Sequence, residues 1–146
     1  MNAHPVTILL IEDDPGHARL IEKNIRRAGV SNTIIPFTDG SSALAHLFGS
    51  DAAGKRLAHN PILVLLDLNL PDMSGIDILA RIKSDELLRR APVVVLTTTD
   101  DRVEIQRCYD LGCNVYITKP VEYESFSAAI RQLGLFLAVM QVPETD

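Results

Sequence analysis

The sequence predicts an α/β sandwich in which a doubly wound, five-stranded parallel sheet is covered by five helices. Three observations predict it. Short apolar, β-branched runs recur at 6–11, 33–37, 62–66, 92–96 and 115–118, each followed by a segment with helical periodicity. The runs at 62–66 and 93–96 are apolar at nearly every position, as strands are when helices bury both faces of a parallel sheet. The chain is 146 residues long, which suits one domain with its own core and leaves no room for a second full one.

Taken in order, the first strand runs into Glu12-Asp13-Asp14. The first helix starts at Pro15, whose missing N–H costs nothing in a first turn, with Asp14 as its cap, and it stops near Gly29. Ala18, Leu20, Ile21 and Ile25 form its apolar face, while Arg19, Glu22, Lys23 and Arg26 stay in water. The segment 49–60, with its glycines, Lys55, Arg56 and Asn60-Pro61, reads as a loop or irregular extension before the third strand. Asp100 or Asp101 caps the fourth helix, and Gly112 follows its last apolar residue, Leu111. The last helix starts near Glu122 and is almost wholly apolar over 133–140, where Leu135, Phe136, Leu137, Val139 and Met140 point around most of its circumference. A core drawn from residues 5–133 does not cover that surplus.

The composition, 47% hydrophobic and 23% charged, is that of a globular protein. A net charge of −5 opposes binding to a polyanion, so neither nucleic acid nor an anionic membrane is an expected partner. No stretch is long enough to span a bilayer, and the opening MNAHPVTILL has no basic segment or cleavable apolar one, so a cytoplasmic location is expected. Cys108 and Cys113 form no CxxC pair and read as two buried thiols. The histidines His4, His17, His46 and His59 are scattered without zinc spacing, and His17, next to the acid run, reads as a solvated helix residue.

Ligands of a doubly wound sheet bind beyond the carboxyl ends of its strands. Here those ends carry Glu12-Asp13-Asp14 after strand one, Asp67 after strand three, Thr97-Thr98-Thr99 after strand four and Lys119-Pro120 after strand five. Carboxylates brought together raise one another's pKa unless a cation neutralises them. A donor set of hard oxygens without Cys or His suits Mg²⁺, or Mn²⁺ in its place. An aspartate so placed can act as a nucleophile toward phosphorus, with a lysine and a hydroxyl stabilising the transferred group. Each residue alone has an ordinary explanation: a capping pair, a turn acid, a capping hydroxyl, a solvated lysine. Their joint placement at successive strand ends argues for chemistry.

The segments ILLIEDDPGHARL, LVLLDLNLPDMSGIDIL, PVVVLTTTDD and CNVYITKP resemble the four signature stretches of two-component receiver domains, and together they span almost the whole chain. The resemblance implies a flavodoxin-like fold with strand order 2-1-3-4-5, and a signalling domain that catalyses only its own phosphorylation and dephosphorylation. It implies that Asp67 accepts phosphate from a histidine kinase. Asp13 and Asp14 match the metal-holding acid pair, with Asp67 and the Asn69 backbone carbonyl completing the set. Thr97 and Lys119 would bind the phosphoryl group beside backbone contacts from Leu68 and Thr98, and the Lys119–Pro120 peptide would be cis. Gly75 would permit the turn into the third helix. Tyr116 occupies the aromatic switch position, so that movement of Thr97 and Tyr116 would remodel the surface of the fourth helix, fifth strand and fifth helix. The loop at 49–60 and the terminal FLAVMQVPETD resemble single-domain regulators paired with phytochrome-like kinases.

The sequence departs from the family's habits at Thr98, where a smaller residue is frequent, and at Val121, where Phe is frequent. Phosphatases of the haloacid-dehalogenase type also use a strand-end aspartate, but need a second Asp two residues on, where this chain has Asn69. A receiver that is never phosphorylated would not need the full acid, hydroxyl and lysine set. A transcription factor would need a DNA-binding output domain after the fifth helix, where few residues follow Met140. The apolar last helix predicts a homodimer through that helix and the neighbouring switch surface. Sedimentation at micromolar concentration should show a dimer that Leu135→Asp or Phe136→Asp dissociates, and a monomeric wild type would rule the dimer out.

Overall fold

The computed structural model describes residues 6–58 and 61–133. The chain alternates β1 (Thr7–Ile11), α1 (Pro15–Arg27), β2 (Ile34–Phe37), α2 (Gly40–Phe48), β3 (Ile62–Leu66), α3 (Gly75–Ser84), β4 (Val93–Thr97), α4 (Arg102–Leu111), β5 (Val115–Thr118) and α5 (Tyr123–Leu133). All pairings are parallel, in the order β2-β1-β3-β4-β5. The apolar run beyond Leu133, on which the dimer expectation rests, lies outside the described residues. No helix among the described residues is long and apolar enough to cross a membrane.

Strand periodicity divides the core in two. Leu9, Ile11, Val64, Leu66, Val93 and Val95 point to the side where α2, α3 and α4 contribute Leu47, Ile78, Leu79, Ile82 and Cys108. Their neighbours Ile8, Leu10, Leu63, Leu65, Val94 and Leu96 point to the other side, against Ile21 and Ile25 of α1 and Phe126 of α5. Each of these fully buried side chains stabilises the fold by roughly 1.5–3 kcal/mol of transfer free energy. Both cysteines are free and buried, and burial pushes the Cys113 thiol up to about 12, which keeps it inert.

The helix ends follow local chemistry. Asp14 caps α1 by accepting from the His17 N–H at 3.0 Å, with Pro15 in the first turn. Asp101 caps α4, which ends at Gly112 in the left-handed conformation (φ 108°). Two details differ from expectation. Leu20 is exposed, whereas Asn24 is buried and its Nδ2 donates to the Val121 carbonyl at 3.0 Å. The segment after α2 is more ordered than a plain loop. Asp51 accepts from the N–H groups of Ala53 and Lys55, Ser50 bridges to Arg56, and Arg56 donates to the Leu47 carbonyl.

Gly75 matters for closeness and not for a left-handed turn. A Cβ there would lie 2.3 Å from the Asp67 carbonyl oxygen and 2.7 Å from the Leu68 Cα. Backbone cannot yield as a side chain tip can. Gly75→Ala should therefore lower stability by about 2 kcal/mol, read as a shift in urea midpoint.

Candidate functional site

Parallel pairing brings four strand ends to one edge of the sheet. β1 continues one residue past its last paired side chain, the Glu12 N–H donating to the Phe37 carbonyl at 3.0 Å, so Glu12 stays in the sheet's edge and is buried. The Asp67 N–H donates to the Ile11 carbonyl at 2.9 Å, and the Lys119 N–H to the Thr97 carbonyl at 2.7 Å. These ladder bonds hold the carboxylates, the hydroxyl and the lysine at fixed separations. The Lys119–Pro120 peptide is cis.

Asp67 is 4% exposed. One carboxylate oxygen, Oδ1, accepts from the Asn69 N–H at 3.1 Å and the other, Oδ2, from Lys119 Nζ at 3.1 Å. Lys119 Nζ also donates to Glu12 Oε1 and lies 3.2 Å from His17 Nδ1. The second Glu12 oxygen accepts from the Asp14 N–H at 3.1 Å. Thr97, fully buried, accepts at Oγ1 from Asn69 Nδ2 at 3.2 Å.

Carboxylate oxygens of Glu12, Asp13 and Asp67 lie within 4.8 Å of one another. With all three ionised, Lys119 leaves the cluster two negative charges in excess, which a divalent cation would match. The donors are all hard oxygens, so the residues fit Mg²⁺ or Mn²⁺. Asp14 is a correction. It was expected beside Asp13 in the metal set, but its carboxylate is spent on the end of α1, where the His17 N–H holds it below the usual carboxylate range. Glu12 takes its place. The reading of Asp14 as the helix cap was the available signal, since it leaves Glu12 and Asp13 as the acids grouped with Asp67. Burial pushes the Glu12 carboxyl up to about 7, against the lowering pull of Lys119 and of the Asp14 N–H.

The other expected residues fall around this cluster. Leu68 is buried beside Asp67, and its carbonyl accepts from the Gly75 N–H at 2.8 Å. Thr98 is exposed next to Thr97, and Asn69 is exposed on the loop after β3. Tyr116, half-buried, donates from its hydroxyl to the Thr99 carbonyl at 2.8 Å, and burial raises the phenol's pKa. Its backbone N–H donates to the hydroxyl of Tyr109, on α4, at 3.2 Å. Sequence reasoning missed Tyr109 and the contact of His17 with Lys119; neither has a motif to reveal it.

The family model of the response regulator receiver domain matches residues 8–131. A response regulator receiver domain from Rhodospirillum rubrum is 72% identical and superimposes with a TM-score of 0.77, covering 97% of this chain and 99% of its own. The bacteriophytochrome response regulator RtBRR is 38% identical, with a TM-score of 0.81 over 97% of this chain and 85% of its own. Response regulator Rcp1 of Synechocystis sp. is 37% identical over 115 residues, 79% of this chain and 77% of its own. The manganese-bound form of Rcp1 superimposes with a TM-score of 0.74 at 31% identity, over 97% of this chain and all of its own.

Glu12 also sets a pH dependence. Its carboxyl ionises near 4.5 when unperturbed and at about 7 in the fold. Between those values the folded protein keeps a proton that the unfolded chain has lost, so this contribution to stability is present below 4.5 and lost as pH rises through about 7. In chelator the melting temperature should fall across that window, and Glu12→Gln should flatten the fall.

Proposed function

We propose that this chain, which belongs to the response regulator receiver domain family, takes a phosphoryl group onto Asp67 from a histidine kinase and passes the signal on through a changed surface. Receiver domains are signalling domains of two-component systems, they bind divalent metal, and a histidine kinase is the partner such a domain implies. The observation that carries the reading is Asp67 itself: a buried carboxylate held between the Asn69 N–H and Lys119 Nζ, with two further acids within 4.8 Å.

In the transfer an Asp67 carboxylate oxygen attacks phosphorus, an O–P bond forms, and the bond to the donor imidazole nitrogen breaks. Glu12, Asp13 and Asp67, with the Asn69 carbonyl, would hold a Mg²⁺ or Mn²⁺ ion, which when bound supplies neutralisation of the charge on the transferring oxygens. Lys119 offers its ammonium to the same oxygens from within hydrogen-bond distance of Asp67. Thr97 exchanges its bond with Asn69 for one to the phosphoryl group. Backbone N–H groups at Leu68 and Thr98 complete the cradle.

Phosphorylation adds roughly two negative charges and strong acceptors. Movement of Thr97 toward them opens space beside β5, and Tyr116 gives up the Thr99 carbonyl to turn inward. The population shifts toward a form with a different α4, β5 and α5 surface. The chain acts as one domain, with protein binding or onward phosphotransfer as its output. The likeness to RtBRR supports a phytochrome-like kinase as donor. A homodimer through the apolar run after α5 is the proposed assembly.

Incubation with a small phosphodonor, with and without Mg²⁺, followed by intact mass, tests the centre of this reading. A gain of one phosphoryl group should require Mg²⁺ and vanish in Asp67→Asn. A gain that ignores Mg²⁺, or persists undiminished in Asp67→Asn, would overturn it.

A further inference from the structure

A lysine ammonium has three N–H donors and no lone pair. In this fold all three have an acceptor: Glu12 Oε1, Asp67 Oδ2 at 3.1 Å and His17 Nδ1 at 3.2 Å. Because an ammonium has no lone pair, the contact with His17 is a hydrogen bond only when Nδ1 accepts and the ring proton sits on Nε2. The Lys119 side chain is only 4% exposed, so each of its donors must be matched within the protein.

The three acceptors are not equivalent. Asp67 is the reacting group, and its charge changes once it carries a phosphoryl group. Glu12 belongs to the acid cluster that a divalent cation would claim. His17 alone of the three is uncharged as an acceptor and lies outside that cluster. It is fixed from its own side as well, because its backbone N–H is the donor to the capping carboxylate of Asp14. The first turn of α1 thus sets where the lysine's head rests.

We propose that His17 is a positioning residue for phosphoryl transfer: through Nδ1 it holds the Lys119 ammonium over Asp67 in the orientation that meets the incoming phosphoryl oxygens. This rests on Asp67 being the phosphoacceptor. His17 lies 40% exposed in its side chain, so it can be replaced without opening the core. With leucine there, one Lys119 proton loses its acceptor and the ammonium is free to collapse onto the carboxylates. With asparagine, Oδ1 stands close to where Nδ1 was and restores an acceptor.

The experiment compares wild type, His17→Leu and His17→Asn in phosphorylation by a small phosphodonor with Mg²⁺, timed by intact mass, alongside their melting temperatures. His17→Leu should slow the mass gain about fivefold to tenfold, as when part of the worth of one charge-assisted hydrogen bond is felt in the transition state. His17→Asn should stay within about twofold of wild type with the same melting temperature, while His17→Leu, with one buried donor unmatched, should melt lower but remain folded at the assay temperature. Separately, long-range nitrogen–proton NMR correlations of the His17 ring should show the Nε2–H form in wild type and a change in Lys119→Met. Wild-type kinetics in His17→Leu, or no rescue by asparagine, would overturn the proposal, as would a ring spectrum indifferent to Lys119. If wild type gains no phosphoryl group at Asp67, the functional reading fails by itself, and the ring spectrum still reports whether the Lys119–His17 contact exists.

Discussion

Carboxylates that share one edge of a sheet repel one another, and Lys119 is the charge that the protein itself sets against them. Everything at the site is arranged around that balance. The ladder bonds from Asp67 to Ile11 and from Lys119 to Thr97 bring the acid and the ammonium together from opposite parts of the chain. Parallel strands make this possible because all of them end at the same edge. Burial sharpens it. Glu12 and Asp67 are nearly excluded from water, so the attraction to Lys119 is less screened than at a surface, and an unmatched charge there would cost correspondingly more.

The scaffold around the balance is stiff in places remote from it. Asp72, on the loop after β3, accepts from the Gly40 and Ser41 N–H groups and from the Ser41 hydroxyl, so the loop that carries Asn69 is tied to the start of α2. Those bonds hold the Asp72 carboxyl below the usual range. On the far side, Asn24 of α1 holds the Val121 carbonyl, two residues past Lys119. The reacting groups are thus backed by bonds that the chemistry does not consume.

Most of the fold was legible because it rests on periods and caps. Apolar, β-branched runs placed the five strands, and the Asp14-Pro15 and Gly112 signals marked helix ends to within a residue or two. What escaped was set by tertiary contact. Leu20 reads as core by helical spacing, yet the face that α1 buries is rotated toward Asn24, whose amide has a partner 97 residues away that no local pattern reveals. Glu12 was passed over although Asp14 was already read as the cap, a reading that favours the first two of the three consecutive acids for the cleft. Gly75 reads as a turn residue, though its reason is the backbone it touches.

The Tyr109 hydroxyl under the Tyr116 N–H has a bearing on assembly. β5 is an outermost strand, and an unsatisfied outward N–H on such a strand invites another chain to add itself to the sheet. Here that N–H is already occupied from α4. A partner arriving at this side meets a helix and its side chains instead of an open ladder, so association is steered toward side-chain complementarity and away from indiscriminate strand addition.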